Sequence, residues 1–132
     1  MSNWDDEKKA LWDEDRVVRA FCHWLKTEGW TTVETEKDYI DVVAERGDEK
    51  LYAEVKGKTK GRPGVGLDTL YGQLLRRMPP EEVGESDTRF AVVVPDNAEA
   101  AALRVPVRVR DILRIDVYTV SADGQVEIVD GP

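Results

Sequence analysis

Two carboxylates and a lysine stand out by their positions in strand-like runs. One carboxylate lies where a charge is costly to bury, and the other shares a strand face with the lysine. Asp41 lies inside an apolar run, residues 40–44, where an unpaired carboxylate would be expensive to bury. Glu54 and Lys56 are two residues apart in the next strand-like run, so their side chains project from one face. If the two runs pair as a hairpin, we expect the carboxylates of Asp41 and Glu54 to converge at one place.

A third carboxylate comes from the first helix that the sequence predicts, over residues 8–28. Its apolar residues recur at helical spacing, and Gly29 is a natural stop. Glu14 lies three residues after Leu11 and four before Val18, near the middle of the apolar stripe. We therefore expect Glu14 to reach the sheet from the packing face of the helix.

This set of groups predicts metal-assisted chemistry. Carboxylate oxygens suit Mg²⁺ or Mn²⁺, and the carbonyl of Val55 could add one more oxygen. Lys56 cannot ligate a metal while protonated, but it could orient an attacking water or neutralise charge on phosphorus. The combination of Glu14, Asp41, Glu54 and Lys56 fits hydrolysis of a phosphodiester.

The remaining pattern indicates a mixed α/β domain with helices packed on a central sheet. Strands are expected at residues 30–36, 39–46, 50–56 and 89–94, with a terminal hairpin of 116–120 and 125–129. Further helices are expected at residues 67–78, 98–103 (capped by Asn97) and 109–113. Residues 57–66, rich in glycine and basic side chains, are expected to form a loop. We expect one domain over residues 1–132, with a core at about 8–95 and a C-terminal extension, 96–132.

Asp41, twelve intervening residues and then Glu54-Val55-Lys56 resemble the D-x(n)-E-x-K signature of the PD-(D/E)XK nuclease superfamily. With the preceding helix and Glu14, the chain is similar to archaeal Holliday-junction resolvases and type IV restriction endonuclease domains. The resemblance covers about residues 11–94. The proline of the superfamily's name is absent, because Tyr39-Ile40 precedes Asp41.

The resemblance implies a restriction endonuclease-like α-β-β-β-α-β core, with a central mixed sheet flanked by helices and followed here by a C-terminal hairpin. It implies that Glu14, Asp41 and Glu54 bind the divalent metal. It also assigns a positioning role to Gln73, which matches a glutamine that many members carry in the helix after the E-x-K strand. The expected activity is that of a metal-dependent endonuclease acting on DNA, branched or duplex.

The formal net charge of −8 opposes nucleic-acid binding, but its distribution is uneven. Residues 50–77 carry seven Lys or Arg against two Asp or Glu. We expect five of these cations to contact the DNA backbone: Lys58, Lys60, Arg62, Arg76 and Arg77.

Other features limit the compartment and the class of site. Cys22 is the only cysteine and His23 the only histidine, which excludes an internal disulfide and clustered thiolate or imidazole metal sites. No apolar stretch is long enough for a membrane span. We expect a cytoplasmic protein that acts as a homodimer or as a subunit of a larger complex.

Two alternatives remain open at this point. The first keeps the fold without the chemistry, as a catalytically inactive module for nucleic-acid binding or complex assembly. The second is an acidic protein-binding domain, which the overall negative charge favours.

Overall fold

The computed structural model describes residues 14–57 and 63–129, with only the backbone described for 63–65. The helices are α1 (Glu14–Thr27), α2 (Pro63–Arg77), α3 (Glu99–Ala102) and α4 (Val107–Leu113). The strands are β1 (Thr32–Lys37), β2 (Ile40–Arg46), β3 (Glu49–Val55), β4 (Thr88–Pro95), β5 (Ile115–Val120) and β6 (Val126–Val129). Short 3₁₀ turns occur at Pro80–Glu82 and Asp96–Ala98.

All six strands form a single mixed sheet, in the order β1-β2-β3-β4-β5-β6. The first three are antiparallel neighbours, β3, β4 and β5 are parallel, and β6 runs antiparallel to β5. Strands β3, β4 and β5 therefore finish at the same end of the sheet, where β2 begins. We call this the carboxyl end and the opposite one the amino end.

Each face of the sheet is covered by a hydrophobic layer. On one face, α1 contributes the apolar stripe Val17, Phe21 and Leu25, which packs on alternate residues of β2, β3, β4 and β5. On the other face, α2 and α3 pack on the remaining alternate positions of β4 and β5. Because side chains alternate along a strand, Glu54 belongs to the α2 face, whereas its neighbours Ala53 and Val55 belong to the α1 face.

The expected mixed α/β architecture, with a six-stranded sheet flanked by helices, is confirmed. The α-β-β-β-α-β order is present, and the terminal hairpin exists as β5 and β6. Strand β5 also pairs along β4, so residues beyond 95 complete the same sheet. No helix of the described residues is both long and apolar enough to cross a membrane.

Two local expectations were wrong. Helix α2 begins at Pro63, inside the segment expected to be a loop, because proline has its φ already fixed for the first turn of a helix. Asn97 lies inside a 3₁₀ turn, so the short helix α3 has Ala98 at its N-cap position and no side-chain cap.

Candidate active site

Asp41 and Glu54 lie opposite each other on the paired strands β2 and β3, at the carboxyl end of the sheet. Their neighbours Val42 and Ala53 are register partners, so the antiparallel ladder directs both carboxylates to one face. The amide N–H of Asp41 donates to Glu54 Oε2 at 2.9 Å. In return, the amide N–H of Val55 donates to Asp41 Oδ2 at 2.8 Å. We call these two residues the carboxylate pair, and each is fixed by the backbone of the other's strand.

Glu54 is completely buried, with 0% of its surface exposed. Its Oε1 accepts a hydrogen bond from the Arg77 guanidinium, which arrives from the last turn of α2. Burial raises the pKa of Glu54 above its usual range, the charge of Asp41 raises it further, and the bonds from the Asp41 amide and from Arg77 act in the opposite direction. The site therefore holds a carboxylate whose charge is costly unless a cation is present.

Lys56 follows β3 directly and lies half-buried beside β4, where its amide N–H donates to the Val93 carbonyl at 2.9 Å. Desolvation and the charge of Asp41 raise the pKa of Glu14, and the charge of Lys56 acts in the opposite direction. The ammonium group thus belongs to the same electrostatic cluster as the acidic residues.

Glu14 is the first described residue of α1, and it is exposed. Partial burial and the charge of Asp41 raise its pKa, so the two carboxylates interact. Both line a cleft of about 460 Å³ that also includes Asp15, Val18, Arg19, Thr35 and Glu36. We call this the acidic cleft. Glu14 continues the apolar stripe of α1 but lies one turn before Val17, where the helix opens onto this cleft.

The other expected site residues differ in where the structure places them. Gln73 is half-buried, one helical turn before Arg77 on the same face of α2, and makes no side-chain hydrogen bond within the described residues. Arg76 is exposed, whereas Arg77 points inward to Glu54. Lys58, Lys60 and Arg62 lie outside the described residues. The N–H of Val55 donates to Asp41 Oδ2, whereas the role of its carbonyl as a metal ligand stays a prediction.

The contact between Arg77 and Glu54 was not predicted, although the sequence carries a signal for it. Arg77 lies seven residues after Leu70 and three after Leu74, both buried residues on the sheet-facing side of α2. An arginine at that spacing is directed toward the sheet, where a buried carboxylate is its natural partner.

The carboxylate pair fits a divalent metal only in part. Within the described residues, no three acidic, histidine or cysteine side chains come together as a closed metal-binding group. Mg²⁺ does not require one, because proteins commonly hold it through one or two carboxylates, with water and phosphate oxygens completing the octahedron. Asp41 and Glu54 supply that minimum, with Glu14 across the acidic cleft.

In this fold a helix, an antiparallel three-stranded unit and a crossover helix precede two parallel strands. Solved structures with a similar fold include the following two. The fdxN element excision controlling factor protein from Anabaena variabilis has a TM-score of 0.59 at 16% sequence identity, over 89% of this chain and 98% of that one. An XisH family protein from Nostoc punctiforme PCC 73102 has a TM-score of 0.60 at 15% identity, with the same coverage.

At these identities the similarity shows the fold alone. No family model and no curated protein matches the sequence.

Proposed function

We propose that this chain is a metal-dependent nuclease that hydrolyses phosphodiester bonds of DNA, with Mg²⁺ or Mn²⁺ as cofactor. The observation that carries the proposal is the carboxylate pair, fixed across β2 and β3, with the Lys56 charge in the same cluster. A buried glutamate whose pKa is raised by burial and by a neighbouring aspartate is an unfavourable choice for structure alone. It is useful where a dication is to be bound.

In the proposed reaction, the oxygen of a water molecule forms a bond to phosphorus while the bond to the leaving sugar oxygen breaks. Protons pass from the water to solvent and from solvent to the leaving oxygen. The metal, when bound, would stabilise negative charge on the phosphate. Asp41 and Glu54 would hold it, Glu14 would add a carboxylate from the far side of the cleft, and Gln73 would assist positioning. The Lys56 ammonium would orient the water and neutralise charge at phosphorus.

We further propose a cytoplasmic protein that works as a homodimer or within a larger complex. A single free cysteine, Cys22, is consistent with a reducing compartment. One acidic cleft would cut one strand at a time, so simultaneous cleavage of both strands would require a second copy.

The test is a nuclease assay on linear duplex, single-stranded and branched DNA with Mg²⁺ or Mn²⁺. Wild type is compared with Glu54→Ala and Lys56→Ala, and circular dichroism checks that each variant is folded. We expect both substitutions to abolish cleavage. Calorimetric titration of Mg²⁺ or Mn²⁺ gives a readout that is independent of activity, and Glu54→Ala should remove binding. Unchanged cleavage by either variant would contradict the assigned roles.

A second candidate function is a nuclease-fold module that binds nucleic acid or a partner without cutting. The observation that favours it is the Arg77 guanidinium on Glu54 Oε1, because this cation already balances the buried charge. Nucleic-acid binding by a wild-type protein that takes up neither Mg²⁺ nor Mn²⁺ would select this alternative.

A further inference from the structure

A second cleft at the carboxyl end of the sheet has basic residues of α1 as one wall. Arg16, Arg19 and His23 follow one another at three- and four-residue spacing, so their side chains lie along one side of the helix. The opposite wall is the turn between β5 and β6, residues 121–124, and the enclosed volume is about 410 Å³. We call this the basic cleft.

The basic side chains of the basic cleft have no internal partner among the described residues. Arg16, Arg19 and His23 are exposed, and the side chains make no ion pair or hydrogen bond within residues 14–57 and 63–129. The acidic side chain that lines this cleft, Asp123, instead accepts a hydrogen bond from the Ser121 hydroxyl.

Other arginines of the chain are held differently. Arg46, Arg77 and Arg89 each bond to a glutamate or an aspartate. No acidic side chain of the described residues therefore competes with an external anion for Arg16 and Arg19.

The basic cleft and the acidic cleft share one lining side chain. Arg19 lines both, with Arg16 and His23 on one side and with Glu14 and Asp41 on the other. Strands β2 and β5 are three strand spacings apart in the sheet, about 14 Å. A duplex presents one phosphate of each strand per about 3.4 Å of helix axis, so a strand that runs past both clefts places more than one phosphate along this separation.

We infer that the basic cleft binds the phosphate backbone of the DNA strand whose phosphodiester lies at the carboxylate pair. This inference rests on the proposed function, since it extends the binding path of the same substrate. Arg16 and Arg19 contact successive phosphates, and His23 closes the path beside the β5–β6 turn. The arrangement explains how a chain with net charge −8 presents a positive surface at the place where a polyanion must lie.

The test measures binding of a fluorescein-labelled DNA duplex by anisotropy over a range of salt concentrations, without divalent metal, so that cleavage does not intervene. The double variant Arg16→Ala/Arg19→Ala should bind about tenfold more weakly at low salt, and the slope of log affinity against log salt should fall by about two. Arg108→Ala is the matched control, because Arg108 is also exposed and unpaired within the described residues but lies on α4, away from the clefts. It should leave both quantities unchanged.

The outcomes separate this inference from the proposed function. If the double variant and the control bind as wild type does, or if wild type binds no DNA, the basic cleft is not a phosphate site. If the double variant loses affinity while Glu54→Ala still cleaves, the basic cleft holds but the catalytic assignment fails. Thermal unfolding of the double variant, expected near that of wild type, shows that weaker binding does not come from misfolding.

Discussion

The two ends of the sheet treat charge in opposite ways. At the amino end, charged side chains are paired with one another. Arg89 forms two hydrogen bonds of 2.6 Å with Asp116, Lys50 lies 2.9 Å from Glu82, and Arg46 bonds to its neighbour in the next strand while stacking over Trp30.

At the carboxyl end the charges are concentrated but incompletely balanced. Desolvation and the charge of Asp41 raise the pKa of Glu14 and of Glu54, while Arg16 and Arg19 make no ion pair or hydrogen bond with the described residues. Glu54 is paired with Arg77, but Glu14 makes no ion pair within the described residues. On the proposed function, the amino end of the sheet stabilises the fold and the carboxyl end binds metal and DNA.

The largest expected effect compares the two lysines that bracket β3. Lys56→Ala at the carboxyl end should lower the cleavage rate by about a hundredfold or more, as expected when one charge-stabilising group is removed from an active site. Lys50→Ala at the amino end should change it by less than about twofold, because Lys50 forms a partly exposed ion pair with Glu82, away from the carboxylate pair. Single-turnover cleavage assays measure both. Equal losses in the two variants would remove the functional distinction between the ends.

The second prediction compares the arginines Arg77 and Arg89 at the two ends. Arg77→Met should lower the free energy of unfolding by about 3 kcal/mol at neutral pH, because it leaves the buried Glu54 carboxylate without its cation. Arg89→Met should cost about 1 kcal/mol, because the pair with Asp116 is partly open to solvent. Urea unfolding measures both. Adding Glu54→Gln to Arg77→Met should recover most of the loss, and failure to do so would show that packing of Arg77, not charge, is responsible.

The carboxylate pair could be predicted because its geometry is local. Asp41 and Glu54 lie on adjacent strands joined by a short turn, so alternation and pairing suffice to bring them together. The helix carrying Glu14 could be predicted for the same reason, from its apolar periodicity.

The sequence could not predict contacts that depend on how distant elements dock. The basic cleft requires α1 to lie against the turn between β5 and β6, about a hundred residues later in the chain. The partner of Arg77 depends on where α2 ends over the sheet after its crossover. Helical periodicity says which face of α2 is inward, but not which strand residue lies opposite.

The third prediction is that stability depends on pH in opposite directions at Glu54 and at Glu82, one at each end of the sheet. Burial and Asp41 raise the pKa of Glu54 above 4.5, so the native state binds its proton more readily than the unfolded state. Its contribution to stability is present below that pH and is lost as pH rises through the native pKa. Desolvation opposes the shift at Glu82, but bonds from Lys50 and Tyr52 lower its pKa, so its contribution is present at neutral pH and is lost on acidification.

Urea unfolding at several pH values between about 3 and 7 checks both signs, because the contribution of Glu82 is lost only below its ordinary pKa. Glu54→Gln should gain stability relative to wild type as pH rises. Glu82→Gln should lose stability at neutral pH and approach wild type in acid. A parallel pH response of the two variants would contradict the assigned directions.

The smallest expected effect compares the two hairpin turns at opposite ends of β2. At the amino end, Gly47 takes the first turn position with φ of 59°, a conformation that glycine adopts without strain. At the carboxyl end, Asp38 and Tyr39 have φ of 53° and 67°, as in a type I′ turn, and Tyr39 is 86% exposed. A bulky side chain in the left-handed region that packs against almost nothing costs stability without an evident return.

Tyr39→Gly should therefore stabilise the protein by about 1 kcal/mol, whereas Gly47→Ala should destabilise it by about the same amount. No heavy atom other than its chain neighbours lies within 4 Å of a Cβ added at Gly47, so backbone strain alone is at issue there. Thermal and urea unfolding measure both changes. If Tyr39→Gly instead lowers stability, the tyrosine makes a contact that offsets its strained backbone. The turn beside the carboxylate pair would then stabilise the fold, as the charge pairs of the amino end do.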